Sequence, residues 1–160
     1  MLVISAAIEQ YGTSHPGDRP RLQAMLAHIL DVAAGTAGLA ADWRHGYAAV
    51  APDTDTGPFL DTLAAVLSVV NMGRTPVRLR LAADHTTGPP ARHAAQLCDA
   101  AALLTAMAAR PATALGAILF AEALHSRHAR LPLTPVTENG RRAYLYLPAP
   151  RRITLANRVI

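Results

Sequence analysis

The side chains with the most chemistry to offer are histidines and arginines set beside turns. His45 lies in Arg44-His45-Gly46, Asp84 and His85 are adjacent, and Arg92, His93 and Gln96 share one short stretch. A histidine can serve as a general base or a metal ligand, and an arginine can hold an anionic substrate through paired N–H donors. The plainer reading is that they are solvated residues at loops and helix ends. His125-Ser126-Arg127-His128 has the three-residue spacing that helical metal sites use, but no third ligand stands near, so a solvated helix face is expected. Asp53, Asp55 and Asp61 surround Gly57-Pro58 without matching a calcium-loop pattern, and are expected to solvate a loop and cap the following helix. Trp43, beside the turn, is expected to pack rather than to stack on a base.

Composition removes several functions. The 160 residues suit one domain with a real core. Hydrophobic residues make up 51% of the chain and charged ones 16%, yet no apolar run reaches the roughly 20 residues that span a bilayer. Neither a secretory signal nor a transit peptide is visible at Met1-Leu2-Val3-Ile4-Ser5, so a cytoplasmic location without membrane attachment is expected. Cys98 is the only cysteine, which excludes an internal disulfide and a multi-thiolate zinc site; its apolar surroundings place it in the core. The net charge of +4 rests on arginine alone, because the chain has no lysine. That absence removes a P-loop lysine and Schiff-base chemistry. Scattered arginines with 4% aromatics do not make a nucleic-acid surface. Abundant alanine and arginine without lysine is the usage that a GC-rich bacterial genome imposes.

Hydrophobic spacing gives the elements that must position these side chains. Residues 2–8 read as a buried strand and 20–34 as a helix begun by Pro20 and ended by Gly35 and Gly38. Residues 42–50 read as a hairpin turning at His45-Gly46. A helix is predicted over 59–71, a half-buried strand over 77–81, and one long alanine-rich helix over 91–109. A strand over 116–120, a helix over 121–129 and a last strand over 142–147 complete the series. The arrangement is α+β: a ferredoxin-like sandwich with a mostly antiparallel sheet packed against helices, spanning 1–148, with a basic tail over 149–160.

That order of elements, from about Val3 to Pro148, resembles the class III nucleotidyl cyclase homology domain of adenylate and guanylate cyclases. In that family the first strand ends in an aspartate four residues before an aromatic; here Tyr11 takes the aromatic place and Ala7 the aspartate position. The family's hairpin carries Gly-Asp-Gly with a second metal aspartate; here the turn is Arg44-His45-Gly46 and His45 replaces that aspartate. The family's helical asparagine and arginine fall at Arg92 and Gln96, in the frame of Ala94-Ala95-Gln96-Leu97-Cys98-Asp99-Ala100. The base-reading lysine of its closing segment falls at Thr137, before Ala143-Tyr144-Leu145-Tyr146-Leu147-Pro148.

The resemblance implies a degenerate member. Cyclisation needs two divalent ions on carboxylates and a fixed positive charge on the phosphoryl oxygens. Alanine, histidine and glutamine at those positions supply neither, so no catalytic residue, metal or cofactor is expected. The expected role is a catalytically inactive module that acts by dimerisation or binding, with a second copy, a protein partner or a nucleotide as ligand. The family's cleft also suggests an alternative, in which His45, Asp84, His85, Arg92 and His93 converge in a repurposed pocket. There His45 or His85 would act as general base or metal ligand and Arg92 would hold a small anionic substrate. A third reading is an assembly domain joined through strand addition by its tail.

Overall fold

The computed structural model describes residues 1–72 and 76–149. Of the tail read above over 149–160, residues 150–160 lie outside the described residues. Six strands form one sheet among the described residues: β1 Leu2–Ile8, β2 Tyr47–Val50, β3 Leu79–His85, β4 Leu115–Leu119, β5 Leu133–Glu138 and β6 Arg141–Tyr146. Their lateral order is β2-β1-β3-β4-β6-β5, and only the β3–β4 pair is parallel. The mixed α+β architecture with a mostly antiparallel sheet is the one the sequence led us to expect.

Alternation along the strands feeds two cores. Leu2, Ile4, Ala6 and Ile8 of β1 point to one face, where they meet Leu26, Ile29 and Leu30 of α1, Arg19–Ala37, and Phe59, Leu63 and Leu67 of α2, Gly57–Val70. Val3, Ala82 and Ile118 point to the other, against Ala94 and Leu97 of α3, Pro90–Leu97, and Leu103 and Met107 of α4, Ala101–Ala109. Trp43 packs as expected, its ring 5.5 Å from that of Phe59. The helix α1 begins with Pro20 in its first turn and runs through Gly35 to a left-handed Gly38, φ 70°, which ends it by the ordinary glycine stop.

Four expectations need correction. The predicted helix over 91–109 is two helices, because Ala100 is extended, with ψ 127°. Alanine has no side chain to cap α4, and the buried Glu138 of β5 does so instead, accepting from Ala101 N at 3.0 Å and Ala102 N at 2.8 Å. We expect Glu138→Ala to lower the unfolding free energy by about 1–2 kcal/mol in urea titration. An unchanged midpoint would show that α4 needs no cap.

The hairpin over 42–50 has only its second strand. His45 and Gly46 do turn the chain with φ 51° and 82°, as a tight two-residue turn demands. Arg44 and Tyr47 form one isolated bridge, while Gly46 O accepts from Ala6 N at 2.7 Å and ties the turn to β1. The strand predicted over 77–81 extends to His85, because Ala82 and Ala83 are buried on opposite faces and break the period-two signal. The strand β5 was missed, although Asn139-Gly140, with φ 50° and 75°, is a strong hairpin signature. It forms one edge of the sheet, with Pro135 opposite Tyr144 of β6, and four-residue β2 forms the other.

Candidate functional site

The end of β1, the turn at His45 and the start of α1 enclose a cleft of about 300 Å³. Ala7, Tyr11, Leu22, Leu26, His45 and Arg80 are among its walls. The two positions that the resemblance assigns to metal aspartates, Ala7 and His45, therefore share one cavity. Arg80 comes from β3, where it stands directly opposite Ala7 in the antiparallel register. Its Nη1 donates to Cys98 O at 3.1 Å and to Asp99 Oδ1 at 3.0 Å, while its Nε is buried without a partner. Sequence reasoning passed over Arg80 because it read as the polar side of an alternating strand. A long-range helix break at Cys98, invisible in the sequence, is what receives it.

Asp84 belongs to a different cluster. It is 1% exposed, and its carboxylate accepts from His85 N at 2.8 Å and from both terminal nitrogens of Arg141, at 2.8 Å and 3.0 Å. His93 Nε2 lies 3.2 Å from its second oxygen. The carboxylate thus joins β3, β6 and α3 through charge-assisted bonds, and its hydrogen bond to Arg141 raises the guanidinium pKa above its ordinary value. The Arg141 guanidinium also sits 5.2 Å from the Phe120 ring centre. His93, Gln96 and Arg141 border a smaller cavity of about 180 Å³.

The residues considered for a repurposed pocket are divided between these places. Asp84 and His93 meet, and His45 lies with Ala7. The His45 turn is held by Ala6, whereas Asp84 pairs with Val3. That is three residues along β1, roughly 10 Å. His85 follows Asp84 on the strand and points to the opposite face, with Nε2 buried and unpartnered. Arg92 is exposed in the first turn of α3, and Thr137 is exposed on β5. Among the described residues no group of three or more His, Cys, Asp or Glu is placed to hold a metal.

The pair after β4 also differs from expectation. Helix α5, Glu122–Arg127, precedes a His128 that is 2% exposed rather than solvated. Its Nε2 meets Thr56 Oγ1 at 2.8 Å, and burial lowers its pKa below the ordinary value. His125 stacks on Tyr144 with ring centres 4.0 Å apart. Cys98 is core, as expected: its Sγ donates to Ser5 O at 3.2 Å, and burial pushes the thiol up to about 11, which makes it a poor nucleophile. Asp55 does precede the helix it was expected to cap, accepting from Gly57 N at 3.0 Å.

The architecture is similar to that of guanylyl cyclase domains. One similar solved structure is a monomeric double mutant of the guanylyl cyclase domain of the RhoGC fusion protein from the aquatic fungus Blastocladiella emersonii. It is 10% identical, with a TM-score of 0.53 over 91% of this chain and 93% of that one. A non-canonical dimeric form of that domain is 11% identical, with a TM-score of 0.50 over 91% and 94%. No family model and no curated protein matches the sequence. No helix among the described residues is long and apolar enough to cross a membrane.

Proposed function

We propose that this chain is a catalytically inactive cyclase-like module that works through binding, as a homodimer, in a regulatory or nucleotide-sensing role. One observation carries the reading: among the described residues, the walls of the cleft at the end of β1 include no carboxylate. Two divalent ions would have to sit on oxygen ligands there, and the cleft offers the methyl group of Ala7, the imidazole of His45 and the guanidinium of Arg80. The residues do not fit the ions. The neutral Gln96 adds a second deficit, since it brings no fixed charge to developing phosphoryl oxygens. The similarity to a dimeric guanylyl cyclase domain supports the homodimer.

The alternative enzyme requires His45, His85 and Arg92 around one substrate, an arrangement disfavoured by their placement at different faces and ends of the sheet. The test is direct. Purified protein incubated with ATP or GTP, with magnesium or manganese, is expected to yield no cyclic nucleotide at any protein concentration. Turnover that disappears in His45→Ala would overturn the proposal.

A further inference from the structure

The charge inventory of the cleft points further, to what it binds. Among the described residues its walls hold one permanent charge, the guanidinium of Arg80, and the imidazole of His45. Of the two nearby carboxylates, one is engaged elsewhere and the other pairs with Arg80 itself. Glu9 Oε2 is 3.0 Å from Arg78 Nε. Asp99 pairs with Arg80 from the end of α3 and is 68% exposed, so solvent screens it.

Arg80 is itself 15% exposed and fixed from one side only. Both contacts to Cys98 and Asp99 use Nη1, while Nε–H is buried with no acceptor. An unsatisfied buried donor is destabilising, and a small shift of the guanidinium toward an anionic oxygen in the cleft would give it an acceptor. The cross-strand pairing opposite Ala7 puts this charge on the face where a metal aspartate would project, with Cβ atoms about 5 Å apart. Beside Tyr11 a second guanidinium repeats the pattern. Arg19, in the first turn of α1, lies 5.8 Å over the Tyr11 ring, and its Nε is also buried without a partner. Tyr11 is part of the cleft wall, and the start of a 19-residue helix adds its own positive potential.

We propose that the cleft binds an oligophosphate group directly on Arg80, with Arg19 at the rim, and without any divalent ion. The guanidinium takes over the charge-neutralising role that metal ions would otherwise have. It is always charged, and its planar N–H donors match phosphate oxygens. The cleft volume of about 300 Å³ is several times a water molecule's share of the liquid, roughly 30 Å³. This inference rests on the reading of the cleft as metal-free, and the measurements below separate the two.

The probe is sodium tripolyphosphate in EDTA, followed by isothermal titration calorimetry on the full chain. Saturable binding is expected in EDTA, weakened rather than strengthened by excess magnesium, because the ion masks the ligand's charge. Arg80→Met, which keeps the apolar stem, should weaken binding at least about tenfold, and Arg19→Gln should weaken it less. Ala7→Asp keeps the Arg80 side chain while setting a competing carboxylate beside its guanidinium. It should also weaken binding, which keeps the test open if Arg80→Met fails to fold. Binding that needs magnesium, binding unchanged in Arg80→Met or in Ala7→Asp, or no binding at millimolar tripolyphosphate would overturn the proposal. The cyclic-nucleotide assay reads the inactivity separately, so a silent assay with no phosphate binding would sink this inference alone.

Discussion

Replacing Gly46 with alanine is expected to lower the unfolding free energy by about 3 kcal/mol. Two effects add. The residue sits at φ 82°, in the left-handed region where a side chain is strained. A methyl group would also stand 2.5 Å from the carbonyl oxygen of Ala6 and 3.3 Å from Leu26 Cδ2. The oxygen cannot step aside, because Ala6 lies in β1, held by β3 on one side and by the turn on the other. The substitution must therefore loosen the turn, and with it the hydrogen bond from Ala6 N to Gly46 O and the seat of His45 in the cleft. Urea titration followed by circular dichroism reads the loss. An unaltered midpoint would mean that the turn shifts freely, and His45 would then not be a fixed wall of the cleft.

His128→Ala is expected to have an effect of similar size, about 2–4 kcal/mol at neutral pH. The imidazole side chain is fully buried, and its removal leaves a cavity and an unpaired hydroxyl on Thr56, itself 2% exposed. The same residue sets a pH dependence. Burial lowers its folded-state pKa, the carboxylate of Asp55 opposes that shift, and the charges of Arg127 and His125 reinforce it. In the unfolded chain the imidazole titrates near its ordinary value of about 6.5. Below that pH the unfolded chain takes up a proton that the folded one refuses, so this contribution to stability is complete above about 6.5 and declines as the solution is acidified. The decline ends once the pH falls below the lowered folded-state value. The difference in midpoint between the parent protein and His128→Ala should narrow between pH 7 and pH 5. A constant difference would show that the imidazole titrates normally.

The fold was legible where apolar spacing was long and regular. The stripes of α1 and α2, the buried run of β1 and the final strand all announce themselves, and their order was enough to give the architecture. What failed has a common physical cause: the deciding contact came from a distant part of the chain. Nothing between residues 91 and 109 says that a carboxylate at Glu138 will cap a second helix at Ala101. Nothing around His128 says that Thr56 will close over it. The alternation at Arg78 and Arg80 marks both as the polar side of a strand, although one reaches Glu9 and the other the end of α3. The β5–β6 hairpin is the exception, since Asn139-Gly140 carries its turn signal locally. In the cleft, Ala7 and His45 were placed together by resemblance, whereas the charge that defines the cavity was found only once the strands were paired.

Pro135 has a consequence for how copies of this chain can meet. A sheet with open margins can recruit further strands without limit, and that growth needs an uninterrupted row of amide donors facing outward. On the β5 margin the row is broken in mid-strand by a residue with no amide hydrogen. The β2 margin is only four residues long. Among the described residues, neither margin therefore offers a long unbroken backbone ladder of the kind that grows into fibres.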